Sequence, residues 1–435
     1  MSNFTPPQSG GGMRRATRMV VLALLFAAPA SATLQTPTPG DTLRLLEALS
    51  QARSGNPMLR AARLKAEAAH ERIPQVSTLP DPELSLGLMN RMVGSLGSTM
   101  DPMTMNQVQL TQMLPWPGML SFAKLRAERL ARADQLDAED AELMLVARVK
   151  SVYYDLAYMD RALALMGESR DLLRDFVQVS LTMYAVGSGL QQDVLQAQVG
   201  VARMTEEITA MAQGRIAMAG RLNALLGREA TVPIGALELP APDGSLPGVD
   251  SLMALADARR PKLQAARQRA GAAEAGYRAA RRELYPDVML GVSYGQRPAF
   301  DDMATFMVGV RLPIWAGRRQ LPMRREMLAM QAMAEAEAVD LTNETFAMLV
   351  EIRADAAKSL NLASLYATSI IPQARASVDA ALAAYRVGRV DYMSLVENQM
   401  TVNRYETESV RLVAGYHKAV AEIAALVGAE IGGVR

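Results

Sequence analysis

The chain has 435 residues, half of them apolar, and a formal charge of +1 spread over interspersed acids and bases. That apolar content is enough for a large core, and no concentrated basic face points to nucleic acid as a partner. Cysteine is absent, which excludes disulfides, thiolate metal sites and lipid attachment through a cysteine. The only histidines, His70 and His417, lie far apart in helix-forming stretches and read as helix-surface residues, so no histidine-based triad is expected. No nucleophile, base and orienting group stand at a readable spacing, and neither an enzyme nor a bound cofactor is expected.

At the N-terminus Arg14, Arg15 and Arg18 precede the apolar run MVVLALLFAAPA, and Ala30-Ser31-Ala32 has the small residues a signal peptidase needs. Residues 1–32 therefore read as a signal peptide, with Met13 the better start because the preceding stretch is rich in Gly, Pro and Ser. Beyond Ala32 no run of 18 apolar residues remains, so no membrane-spanning helix is expected there.

The rest reads as a tandem duplication, with copies at 42–227 and 250–428 and a linker at 228–249. PMLRAARLKAEAA (57–69) aligns with PKLQAARQRAGAA (261–273), and PELSLGL (82–88) with PDVMLGV (286–292). LPWPG (114–118) meets LPIWAG (312–317), YAVGSGLQQDVLQAQ (184–198) meets YRVGRVDYMSLVENQ (385–399), and ALLG (224–227) meets ALVG (425–428).

Each copy opens with a helix-forming stretch of about thirty residues that ends near a proline. Two short alternating segments follow. Leu84, Leu86 and Leu88 alternate with Glu83, Ser85 and Gly87, and Val108 and Leu110 with Gln107, Gln109 and Thr111. In the second copy Val288, Leu290, Val292 and Tyr294 alternate with Met289, Gly291 and Ser293, and Phe306, Val308, Val310 and Leu312 with Thr305, Met307, Gly309 and Arg311. Segments of about nine residues with one apolar and one wet face fit tilted transmembrane β-strands. Trp116 and Trp315 follow the second strand of each hairpin, where an interfacial aromatic anchor belongs, and Pro115, Pro117 and Pro313 stop the ladder.

Very long helical stretches come next, about 118–183 with a break near Gly167, and about 317–384. Some 65 helical residues reach about 100 Å. Leu145, Val149, Val152, Leu156, Met159, Leu163 and Met166 recur at spacings of four and three, a heptad seam against neighbouring helices. Gly187 and Gly388 then end the long helices at turns suited to a left-handed residue.

Four strands cannot close a barrel, and lipid tolerates no unpaired sheet edge, so copies of the chain must assemble. Two chains would give a cylinder filled by side chains, whereas three would give twelve strands and an open lumen. The expected fold is therefore an α+β membrane protein: a trimeric 12-stranded transmembrane β-barrel continued by a long periplasmic α-helical barrel. A periplasm-spanning coiled-coil scaffold without a pore is the alternative.

In the order and duplication of Pro82 and Pro286, LPWPG and LPIWAG, and the two Tyr-x-Val-Gly turns, the chain resembles the TolC family of outer-membrane efflux proteins. The resemblance covers nearly everything after residue 32. It implies a homotrimer in the outer membrane, an equatorial layer built partly from 227–248, and a passive exit duct joined to an inner-membrane efflux pump by a periplasmic adaptor. It also implies adaptor docking at the tips, with Tyr184, Val186, Gly187, Leu190, Tyr385, Val387, Gly388 and Val390 as candidates. Asp193 and Glu397 fall near the family's lumenal constriction carboxylates, although Ser394 and Gln196 occupy the repeat-equivalent positions. A further reading concerns the methionine-rich loop MNRMVGSLGSTMDPMTM (89–105), whose thioethers suit Cu(I) or Ag(I) and point toward the heavy-metal branch of the family.

Overall fold

The computed structural model describes residues 43–91, 102–242, 244, 246–297, 300–387 and 389–431. The signal-peptide reading, Gly388 and residues 92–101 of the methionine-rich loop lie outside them.

The opening stretch folds as two helices rather than one, α1 (Leu45–Gly55) and α2 (Pro57–Ser77). Asn56 makes the joint: its side chain accepts the Leu59 N–H at 3.0 Å and donates to the Leu225 carbonyl at 2.9 Å. Pro57 begins α2 at the one helical position where a missing N–H leaves nothing unpaired. Strands β1 (Glu83–Met89) and β2 (Met105–Leu114) follow, then α3 (Met119–Ala185) and α4 (Gln191–Leu226). The order then recurs, with α5 (Val249–Arg259), α6 (Pro261–Arg282), β3 (Asp287–Gln296), β4 (Met303–Arg311), α7 (Gln320–Leu365), α8 (Ile371–Arg386) and α9 (Tyr392–Val427).

Helix α3 runs unbroken for 67 residues, so the break expected near Gly167 does not occur. A glycine inside a helix costs only about 1 kcal/mol relative to alanine, too little to interrupt one that packs along its length. The interruption lies in the other copy, where a π-helical turn (Tyr366–Ile370) separates α7 from α8. Pro372 supplies the cause, since its ring lacks an N–H and crowds the preceding turn, and the wider π turn absorbs both faults.

The four strands form one antiparallel sheet in the order β1-β2-β3-β4. Leu84, Leu110, Val292 and Phe306 stand side by side in register. Their face is apolar and open, with Leu86 77% and Phe306 80% exposed, while Ser85, Gln107, Gln109, Thr111 and Ser293 occupy the other face. Among the described residues no helix is long and apolar enough to cross a membrane.

One apolar core forms where α1, α3 and α4 meet, around Leu145, Val149, Val152 and Leu156 of the heptad seam. The linker is strapped onto it. Ile234 and Leu237 are buried there, Arg215 donates to the carbonyls of Ile234 and Gly235, and the Leu237 N–H reaches Asp160 at 2.9 Å. His417 is buried rather than on the surface: its ring stacks on Tyr154 at 4.9 Å and its Nε2 lies 2.9 Å from the Pro240 carbonyl. Sequence periodicity missed this because the element that covers the histidine is an irregular linker. His70 is exposed.

Both copies end alike, at Gly227 (φ 71°) and Gly428 (φ 67°), each pressed against the helix that opens its own copy. A Cβ on Gly227 would lie 2.2 Å from the Gly55 carbonyl oxygen, and one on Gly428 2.8 Å from that of Arg259. Gly227→Ala is therefore expected to cost about 1–3 kcal/mol and lower the thermal midpoint. Gly167→Ala, with nothing within 4 Å of the added carbon, should leave the midpoint unchanged or raise it. Thermal unfolding followed by circular dichroism checks the pair; equal midpoints would refute the assignment.

Candidate functional site

Two regions carry the chemistry, the sheet and the far ends of the helices. In the sheet every strand is paired on its inner sides, but among the described residues of one chain the outer sides of β1 and β4 have no strand beside them. At the helix-proximal end Trp116 is half-buried and its ring stacks on Tyr285 at 5.0 Å, while its backbone N–H donates to Asp287 at 3.1 Å. The repeat-equivalent Trp315 stands out at 73% exposure beside Ile314 at 79%. The apolar stripe thus ends in aromatic rings where the strands give way to helices.

The first tip joins α3 to α4. Gly187 takes φ 77°, and the N–H groups of Ser188 and Gly189 both reach back to the Met183 carbonyl, at 2.8 and 2.9 Å. These bonds satisfy the last carbonyls of α3 and turn the chain within a few residues. Tyr184, Val186 and Leu190 are exposed around this turn. Asp193 is partly buried in the first turn of α4, where a carboxylate complements the positive end of the helix.

The second tip joins α8 to α9 through the Arg389 N–H, which bonds the Ala384 carbonyl at 3.0 Å, and an Asp391 cap on the Ser394 N–H at 3.1 Å. The hydroxyl and amide of Ser394 hold the Asp391 carboxyl below its usual pKa. Val387 and Val390 are exposed, but Tyr385 is not. It packs edge-on against Tyr392 at 5.5 Å, in a core shared by both tips with Leu173, Phe176, Ala197, Val378 and Leu395. Burial is the first cause that raises both phenols above the usual tyrosine pKa, with the Asp193 charge adding to it. Asp193 of the first copy therefore sits beside the aromatic pair of the second. Glu397 points into solvent, separate from this cluster.

Sequence reasoning found the tips but missed Tyr392, which echoes no residue of the first tip. Its one visible signal is the position directly after the Asp391 cap, where an apolar residue opens the buried stripe of α9.

The profile of the outer membrane efflux protein family matches residues 48–228 and 252–429. A search of the curated proteins found no match. Among solved structures, the outer membrane protein VceC of Vibrio cholerae superposes with a TM-score of 0.76 at 17% identity, over 89% of this chain and 97% of that one. A membrane protein from Pseudomonas aeruginosa gives 0.78 at 20% identity, over 90% and 91%. The MtrE outer membrane channel of Neisseria gonorrhoeae gives 0.71 at 17%, over 91% and 94%. At such identities the superpositions establish the fold, and the family profile, spanning most of the sequence, establishes the lineage: the chain belongs to the outer membrane efflux protein family.

Proposed function

We propose that three copies of this chain close a 12-stranded barrel in the outer membrane and serve as the passive exit duct of a tripartite efflux system. Substrates would enter from a periplasmic adaptor and an inner-membrane pump, and energy would be supplied there. The observation that carries this reading is the sheet: an exposed apolar face with two free edges. In lipid those edges would leave backbone groups unpaired at several kcal/mol each, so β1 of one copy would pair with β4 of the next. The polar face would line the lumen, with Trp116 and Trp315 anchoring the periplasmic interface. The two tandem copies, 42–227 and 250–428, would make the tube nearly sixfold.

At the far end, six turns from three chains would ring the mouth and receive the adaptor. Tyr184, Val186, Gly187, Leu190, Val387 and Val390 form the contact surface, with Tyr385 supporting it from beneath; Gly388, the remaining candidate, lies outside the described residues. Asp193 and Glu397 would supply carboxylates near the constriction and favour cations.

Purified protein in a planar bilayer should be trimeric and conduct, with cation preference reduced in Asp193→Asn; a trimer without conductance would favour the pore-free scaffold. Val186→Asp with Val387→Asp, which puts charge into an apolar contact, should weaken adaptor capture by about tenfold. Unchanged capture would remove the turns from the interface. Tyr392→Ala, which empties a fully buried site, should cost about 3–5 kcal/mol and let protease cut the tips at lower temperature. Tyr392→Phe should not, because among the described residues its hydroxyl has no hydrogen-bond partner. Neutral phenols stabilise the tip fully below about pH 10, so this resistance should fall as pH rises beyond that value.

A further inference from the structure

Where the strands give way to helices, positive charge gathers that a conduit does not require. Arg278, Arg281 and Arg282 at the end of α6, Arg324 of α7, Phe122 of α3 and Tyr285 line one cavity of about 660 Å³. Glu274 neutralises Arg278 from one turn away. Among the described residues Arg281, Arg282 and Arg324 have no carboxylate partner. Arg282 instead lies over the Phe122 ring, 5.9 Å from its centre, and the neighbouring Asp287 is engaged by the Trp116 N–H.

Local helix electrostatics explains only half of this arrangement. Arg281 and Arg282 occupy the last turn of α6, where cations complement the negative end of the helix. Arg324 sits near the start of α7, the positive end. That helix has no acid in its first turn, while Arg318 and Arg319 stand just before it and Arg325 follows. Cations at a helix N-terminus are unfavourable, and here they face three more guanidinium groups across a cavity. An anion in the cavity would relieve both repulsions.

We propose that this cavity binds a phosphate group. Guanidinium forks match phosphate oxygens two at a time, and three without carboxylate partners surround a space larger than a phosphate needs. Its place supports the assignment, because Tyr285 stacks on Trp116 where the apolar strands end, at the level that headgroups of a bilayer occupy. Basic pockets at this depth suit acidic phospholipid headgroups, and free phosphate shares the same chemistry. The inference does not depend on the chain forming a pore.

The test is native mass spectrometry of the purified full chain from nanodiscs containing phosphatidylglycerol or phosphatidylcholine, with inorganic phosphate added in a separate arm. The comparison is among wild type, Arg324→Gln, the triple variant Arg281→Gln, Arg282→Gln, Arg324→Gln, and Arg148→Gln, an exposed arginine elsewhere on α3. Wild type and Arg148→Gln should retain phosphatidylglycerol over phosphatidylcholine, and the triple variant should lose about tenfold or more of it. Retention of inorganic phosphate instead, lost in the same variant, would support the site with a soluble ligand. If the triple variant does not fold, Arg324→Gln decides alone, and lowered retention supports the site. Equal retention in wild type and a folded Arg324→Gln or triple variant overturns it.

Discussion

Backbone hydrogen bonding inside lipid dictates more of this chain than any side-chain contact does. Its four-stranded sheet presents leucine, valine and phenylalanine outward on one face and satisfies its own inner ladders, yet the described residues hold no strand to place against β1 or β4. In water an edge can be solvated; in hydrocarbon it cannot. Within the outer membrane, where the family belongs, that unpaired edge would call for further copies. The helices would inherit the demand, since each hairpin is joined directly to α3 or α7, and they would follow whatever circle the strands draw.

Within one chain the helical part is already well knit. The core at the α1, α3 and α4 junction takes in the linker, whose described residues act as a strap: Arg215 and Asp160 fix one side of it, and Arg353 donates to the Pro247 carbonyl at 2.8 Å on the other. A second row of polar contacts joins α3 to its neighbours, with Lys65 on Asp134 at 2.8 Å and Lys262 on Asp137 at 3.2 Å. These pairs are partly exposed and each adds little to stability. Their regular placement along α3 favours one alignment of α2 and α6 over others.

Much of the fold was legible because periodicity speaks plainly in long elements. The dyad alternation of Leu84, Leu86 and Leu88 and the spacing of Leu145, Val149, Val152 and Leu156 each name a face, and those faces are where the structure puts them. Gly187 was legible as a helix end because the turn there suits a residue with a positive φ, and it takes one. Other features were not. The break near Gly167 was read from a residue that merely weakens a helix, while Pro372, which cannot propagate a regular one, produced the π turn instead. His417 was read from its own helix, and its burial comes from Pro240 and Tyr154, distant in sequence. Tyr385 was read as its repeat-mate Tyr184, but only Tyr184 has solvent around it.

That last difference shows how unlike the two halves of the chain are at their tips. Gly200 lets α4 approach α9, where a Cβ would come within 3.4 Å of Val396, and this close crossing brings Asp193 of the first hairpin against Tyr385 and Tyr392 of the second. The two hairpins are thus unequal partners: the first exposes its tyrosine and lends a carboxylate, while the second buries an aromatic pair. The helices above them differ in the same sense, α3 being continuous and the α7 to α8 path interrupted by its π turn. A bend in such a tube would concentrate at Tyr366–Ile370, because a π turn already lacks the regular bonds that bending must break. Six hairpins around an axis would accordingly behave as three pairs, with one member of each pair the stiffer.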